Sequence, residues 1–520
     1  MRNVMLKYLT FFLILTNFTL ISGQTNPTPP DYWPTDSWRT STPEEQGLDS
    51  EQLLAMLERI QEENAPIDSV LVIRNGYLVL EAYYPPFDAT TTHIIHSDTK
   101  SIMSTLIGIA IEQGYIEGID QTLLSFFPDR TIANLETEKK AITLEDVLTM
   151  SSGLRCRDSH WYNHQGLAEM IQTLDWPQTV LDLPMEHTPG TYFEYCNGGS
   201  HLLSAIIGAT TGMSALDYAQ ANLFAPLGIT GIGWPVDPQG NNTGWGEIRM
   251  SPRDMAKIGY LFLNGGVWDS EQIVPTDWVT AATRAHIDSD LSDHYGYQWW
   301  VDDNGYYMAL GYAGQFIYVV PDANMVVVST ANLPEEVYNF SETLLNEYII
   351  PAAGSTTPLP ANPEAAAALD AHITALNPLL PVPPLPEAAQ SISGQVYTCP
   401  TFWNSISLSF QEGEAEAQFS GEWVQDAQVH LTEFAIGLDN RYRFSFVELD
   451  GLSIWASGYW ENDTTFTATF YMRNDAVFGG NLSPYWLRFG IETAATIQVS
   501  MGESENVPEN APSFTCQRQE

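Results

Sequence analysis

Positive charge is scarce in this chain. Against 64 aspartates and glutamates stand 20 lysines and arginines, a formal net charge of −44 with a pI near 4.2. Binding to a phosphate backbone or an anionic membrane surface needs clustered lysine and arginine, so nucleic acid and acidic lipid are poor partners for it. The acidic residues are spread along the chain and not gathered into a tail, the pattern of a solubilising surface. Cysteine is also scarce. The four present form no CxxC and no Cys/His cluster, so zinc is not expected. Long apolar runs are missing beyond the amino terminus, which leaves no later segment able to span a bilayer. GxSxG, HExxH, a Walker loop and a calcium loop are all absent.

What is present begins at residue 1. MRNVMLKYLTFFLILTNFTLISGQ sets basic Arg2 and Lys7 ahead of an apolar run from Leu9 to Ile21, then small Ser22 and Gly23. The pattern predicts a secretory signal peptide over 1–23, and against an uncleaved anchor stand Thr16, Asn17 and Thr19 inside a short run. A secreted or periplasmic location follows, and there cysteines are expected to pair. Pairing Cys156 with Cys196 and Cys399 with Cys516 keeps each bridge inside one domain.

With 520 residues and 44% apolar content the chain has material for more than one core. A polar, Pro-rich leader (24–45) precedes LDSEQLLAMLERIQEE, where Leu53, Leu54, Leu57 and Ile60 keep helical spacing behind Asp49 and Ser50 as caps. Asn75 and Gly76 between two β-rich runs predict a hairpin with a two-residue turn. A second antiparallel pair, GQFIYVV and MVVVSTAN around PDAN, lies far downstream, with helix and loop from Ser97 to about Val279. One antiparallel sheet is therefore expected from both ends of a 46–353 domain, with a helical insertion between its halves. Residues 354–390 shift to proline and alanine, the composition of a linker holding a short helix. From 391 to 520, short alternating runs predict an antiparallel β domain closed by Cys399 and Cys516.

Lysine occurs only at positions 7, 100, 139, 140 and 257, and Lys100 alone has a serine three residues before it, in HSDTKSIMSTLIGIAIEQG. On a helix, residues i and i+3 share a face, so Ser97 places its hydroxyl beside that amine. Burial among Ile102, Met103, Leu106 and Ile107 disfavours the charged amine and makes it a base for the serine proton. The helix start offers N–H groups to an oxyanion. The plainer reading is a solvent-facing lysine behind a serine cap. Tyr195 and Asn197, a YxN before another apolar helix, add a phenol to relay a proton and an amide to orient the lysine and a substrate carbonyl.

With these motifs the chain resembles the superfamily of serine β-lactamases, penicillin-binding proteins and esterases, near the class C, nylon-oligomer hydrolase and esterase branches. SDTKS, LEDVLTMSSGL, YCN, the run from Gly246 to Val279, YGYQWW and GYAGQFIYVVP fall in the expected order. The resemblance implies an α/β serine β-lactamase-like fold, an antiparallel sheet flanked by helices plus a helical subdomain, followed by a small antiparallel β domain of the accessory type. It implies Ser97 as nucleophile, Lys100 as base, Tyr195 as acid/base partner and Asn197 as orienting group. Tyr312 and Gly314 would belong to the third motif, and the backbone N–H groups of Ser97 and Gln315 would form the oxyanion hole.

Here the pattern departs from the family. Where the third motif carries Lys or His, this chain has Tyr312, followed by Ala313 and Gly314. Losing the cation weakens recognition of a carboxylate, hence the readings as β-lactamase or D-alanyl-D-alanine carboxypeptidase. Arg155 or Arg157 could supply the charge, although loop arginines are more often plain salt-bridge partners. The function expected is a serine hydrolase acting on a small ester or amide. A binding protein that kept the fold and lost turnover is the alternative from another class.

Overall fold

A computed structural model describes residues 30–158, 164–289, 291–334, 337–400, 403–425, 428–447, 451–474, 483–504, 507–508 and 511–519. The signal-peptide segment lies outside the described residues. The leader is not a free strap from residue 30 onward: Trp33 and Trp38 pack on Tyr260 at 5.7 and 5.6 Å, and Trp38 Nε1 donates to the Arg253 carbonyl.

Helix α1 (Ser50–Glu62) starts as its sequence dictates, with the Asp49 carboxylate accepting from the Glu51 N–H at 2.9 Å and Leu53, Met56, Leu57 and Ile60 buried. Strands β1 (Ile67–Arg74) and β2 (Tyr77–Tyr83) follow, joined by Asn75 and Gly76 at φ 53° and 78°. Both turn residues are left-handed, the twist that matches a hairpin. The chain then forms β3 (His93–Ile94) and α2 (Asp98–Glu112), and returns much later with β4 (Arg249–Met250), which pairs with β3. After a two-stranded ribbon, β5 (Val267–Trp268) and β6 (Glu271–Gln272), come β7 (Ile287–Asp288), β8 (His294–Tyr295), β9 (Trp300–Val301), β10 (Tyr307–Gly311), β11 (Gln315–Val320) and β12 (Met325–Ala331). The main sheet runs β2-β1-β12-β11-β10-β9-β8-β7, and its registered pairs are antiparallel. The expected sheet from both ends of the domain is what forms. Its β1, β11 and β12 are buried along their whole length, and the helix Pro252–Leu263 packs against all three.

The helix of the proline-bracketed linker, Pro363–Leu376, is not a free spacer. It packs against α1 with Leu369 buried in the first core, and Asn362 donates to Glu51. Beyond it, ten strands from Gln395–Thr398 to Phe514–Arg518 form a second sheet, in which the first strand pairs with the last and the single bridge Gly437↔Ser457 closes the circuit. The result is a β-barrel filled by Phe419, Phe434, Phe466 and Phe489. Cys399 and Cys516 are bonded across the seam where first and last strands meet. Closing 117 residues of chain, this bridge contributes about 5 kcal/mol in the chain-entropy picture. Its removal by paired Cys→Ser substitution is expected to lower the melting temperature of the barrel while leaving turnover within about twofold, measured by calorimetry and assay on the same sample.

The barrel rests on the β3/β4 ribbon. Trp455, 1% exposed, meets Phe87 edge-on at 5.3 Å, and Phe87 in turn lies 4.9 Å from the His93 ring. Arg249 lies over the Phe446 ring at 5.1 Å and donates to Ser453. That ribbon leads straight into α2.

Candidate active site

Helix α2 is buried from Asp98 through Ala110, so its one lysine has nowhere to snorkel. Lys100 is 1% exposed, and its Nζ donates to Ser97 Oγ at 2.9 Å, Asn197 Oδ1 at 2.8 Å and the Trp245 carbonyl at 2.7 Å. Burial pulls its pKa down to about 7, against the opposing fields of Asp158, Glu247 and Asp98. Ser97 stands at the N-cap position with helical φ and ψ, yet its side chain caps nothing. The hydroxyl is instead the acceptor of two donors, Lys100 Nζ and Tyr195 OH, each at 2.9 Å. A surface lysine behind a capping serine is therefore not what forms. Burial pushes the Tyr195 phenol well above its ordinary range, and Lys100 Nζ lies 4.8 Å from the ring centre.

Tyr195 and Asn197 are set by the start of the helix Asn197–Thr211. Asp158, reached through the Cys156–Cys196 bridge, holds that start: its carboxylate accepts from the Asn197 N–H at 3.0 Å and the Leu167 N–H at 2.9 Å. Burial lifts the Asp158 pKa to about 6. Asn197 spends its oxygen on Lys100, while its buried amide group faces the Asp158 carboxylate and opposes the rise of that carboxylate's pKa. The bridge spans 40 residues and ties the loop after Leu154 to the residue between Tyr195 and Asn197. Cys156→Ser with Cys196→Ser is expected to lower kcat/KM by about tenfold or more and to broaden the Tyr195 environment, which stopped-flow assays and tyrosine NMR would show.

Ser97, Tyr195, Asn197 and Tyr312 line one narrow cleft, together with His96, His164, Trp245 and Glu247. Tyr312 meets the His96 and His164 rings at 5.6 and 6.2 Å. Gly314 must be glycine: its φ is 98°, and a Cβ there would come within 2.9 Å of both Leu333 Cδ1 and Ala331 Cβ. The Gln315 side chain turns inward to the Tyr312 and Ala331 carbonyls and fixes the strand start beside the cleft. Arg155 and Arg157 do not line the cleft, and Arg157 pairs with Glu169 at 3.2 Å. Sequence reasoning missed Asp98, Asp158, Trp245, His96 and Glu247. Asp98 sits inside SDTKS at a position the SxxK spacing leaves unspecified, Asp158 is a single carboxylate in no motif, and Trp245 acts through its carbonyl, which any residue type supplies. His96, next to Ser97, was the one open to notice.

The comparisons with known proteins agree with this architecture. The family model for Beta-lactamase matches residues 53–347, more than half of the chain. The chain belongs to the beta-lactamase family. This family member is 23% identical over 293 residues to the 6-aminohexanoate-dimer hydrolase of Paenarthrobacter ureafaciens, an alignment covering 52% of this chain and 73% of the relative. Protein flp of Staphylococcus aureus is 25% identical over 180 residues, covering 33% of this chain and 35% of the relative. Among solved structures, EstCE1, a hydrolase with promiscuous acyltransferase activity, superposes with a TM-score of 0.50 at 14% identity, covering 58% of this chain and 99% of its own, a likeness of fold. The protein is thus a beta-lactamase-fold member of a family of amide and ester hydrolases, carrying a C-terminal barrel.

Proposed function

We propose that this beta-lactamase-family protein is an exported serine hydrolase that cleaves small neutral or cationic esters or amides through an acyl-Ser97 intermediate. The observation that carries the reading is the three-atom contact of Ser97 Oγ, Lys100 Nζ and Tyr195 OH. Of the two groups on the hydroxyl, burial favours the neutral amine and the protonated phenol. Lys100 therefore takes the Ser97 proton as Oγ attacks the carbonyl carbon, and the buried phenol hands a proton to the leaving group as the C–N or C–O bond breaks. Water then attacks the acyl-serine by the same route in reverse. Asn197 orients Lys100 through its Oδ1, and the backbone N–H groups of Ser97 and Gln315 are assigned to the oxyanion.

Both disulfides fit the export reading. The neutral Tyr312 argues for substrates lacking a carboxylate beside the scissile bond, because a phenol supplies one donor where an ammonium supplies charge and three. Tyr312→Lys is expected to raise kcat/KM for a carboxylated ester relative to its neutral analogue by about tenfold to a hundredfold. The deciding experiment for the function is reaction with a fluorophosphonate, followed by peptide mass mapping, alongside a screen of nitrophenyl esters, anilides and a chromogenic cephalosporin. An adduct on Ser97 with ester or anilide turnover supports the reading. Fast cephalosporin turnover exceeding that of every ester would replace it with a β-lactamase.

A further inference from the structure

We propose that Glu247, clamped against His96 at the lip of the cleft, is the docking group for a positively charged amine on the substrate, so that the enzyme selects ammonium-bearing esters or amides. This deepens the hydrolase reading and rests on it. Glu247 and His96 have φ of 77° and 45°, left-handed values that a non-glycine residue adopts only when its surroundings hold it there. The ribbon does so: β3 and β4 pair His93 with Met250 and Ile94 with Arg249, and the Ile95 N–H donates to the Ile248 carbonyl at 2.9 Å. The two side chains meet at 3.2 Å between His96 Nδ1 and Glu247 Oε1.

Glu247 makes no other hydrogen bond among the described residues, so its second oxygen and its charge are left to the cleft. Among the described residues lining that cleft it is the one carboxylate, and no arginine joins it. Tyr195, Trp245 and Tyr312 line the same space, and aromatic faces accept a cation where they would repel an anion. The arrangement also links docking to chemistry. The Glu247 field holds the proton on Lys100. An ammonium bound to Glu247 offsets that field and favours the neutral amine, so the right substrate helps to prepare its own base.

The test uses the full-length protein and four 4-nitroanilides: butyryl, succinyl, β-alanyl and 6-aminohexanoyl, the last two placing an ammonium at short and long reach. In wild type, at least one ammonium substrate is expected to exceed butyryl in kcat/KM by about tenfold or more, with succinyl the poorest. Glu247→Gln should bring the ammonium-to-butyryl ratio to within about threefold, and Glu247→Asn, which tolerates the left-handed backbone, guards against a folding artefact. Equal rates across the series, or a preference that survives in both variants, overturns the inference while leaving the hydrolase in place. Failure to turn over any anilide or nitrophenyl ester removes both.

Discussion

Ser97→Ala is expected to lower kcat/KM for any ester substrate on the order of 10⁴-fold or more while leaving the circular dichroism and melting temperature close to wild type. The two halves of that expectation come from one fact. The Ser97 hydroxyl caps no helix N–H and bonds only to Lys100 and Tyr195 among the described residues, so removing it deletes chemistry without unseating α2. The alanine protein should also show no acyl adduct by intact mass when the wild type does. A variant retaining most of its ester hydrolysis would remove Ser97 from the role of nucleophile.

The second large effect is at Lys100. Lys100→Met should be comparably inactive and at least as stable, because an unbranched apolar chain of similar length replaces an amine that has been stripped of water. Against this gain stands the loss of three hydrogen bonds, to Ser97, Asn197 and Trp245; Ser97 Oγ keeps Tyr195 OH, whereas the Asn197 and Trp245 oxygens lose the amine. The pH dependence separates the terms. In the wild type the folded-state pKa of about 7 lies below the ordinary 10.5, so between those values the unfolded chain binds the extra proton and wild-type stability rises with pH. Below about 7 the amine is charged in both states, and the desolvation cost is at its fullest. The methionine variant lacks this slope, so its advantage in melting temperature should be largest in acid and shrink toward pH 10. For wild-type catalysis the same titration sets an acid limb in kcat/KM near pH 7, with activity rising as Lys100 loses its proton. A flat profile across that range would make the lysine a bystander.

How much of this was legible in the sequence depended on whether a property is local. The hairpin turn at Asn75 and Gly76, the Asp49 cap and the two cysteine pairs are written within short stretches or in compartment chemistry, and each forms as expected. The SxxK and YxN motifs were legible because helix periodicity fixes Ser97 beside Lys100, and family resemblance supplied the partner tyrosine. Glu247 and Trp245 were not, since they reach the lysine from about 145 residues away through a fold that no local pattern encodes. The linker misled for a related reason. Proline and alanine bias a segment toward extension and helix, but whether its helix floats or docks depends on a surface elsewhere, here α1.

The seat of the barrel on the β3/β4 ribbon bears on how the protein can be cut. Compositional boundaries suggest that the portion after the proline-rich segment could be deleted to give a minimal catalytic unit. Deletion would bare Phe87 and leave Arg249 without the Phe446 ring and Ser453, on the same short ribbon that delivers His96, Ser97 and Glu247 to the cleft. The two folding units are separate in topology and joined through this contact: among the described residues the outer wall of the barrel does not line the cleft, whereas the face around Trp455 braces the ribbon that carries it.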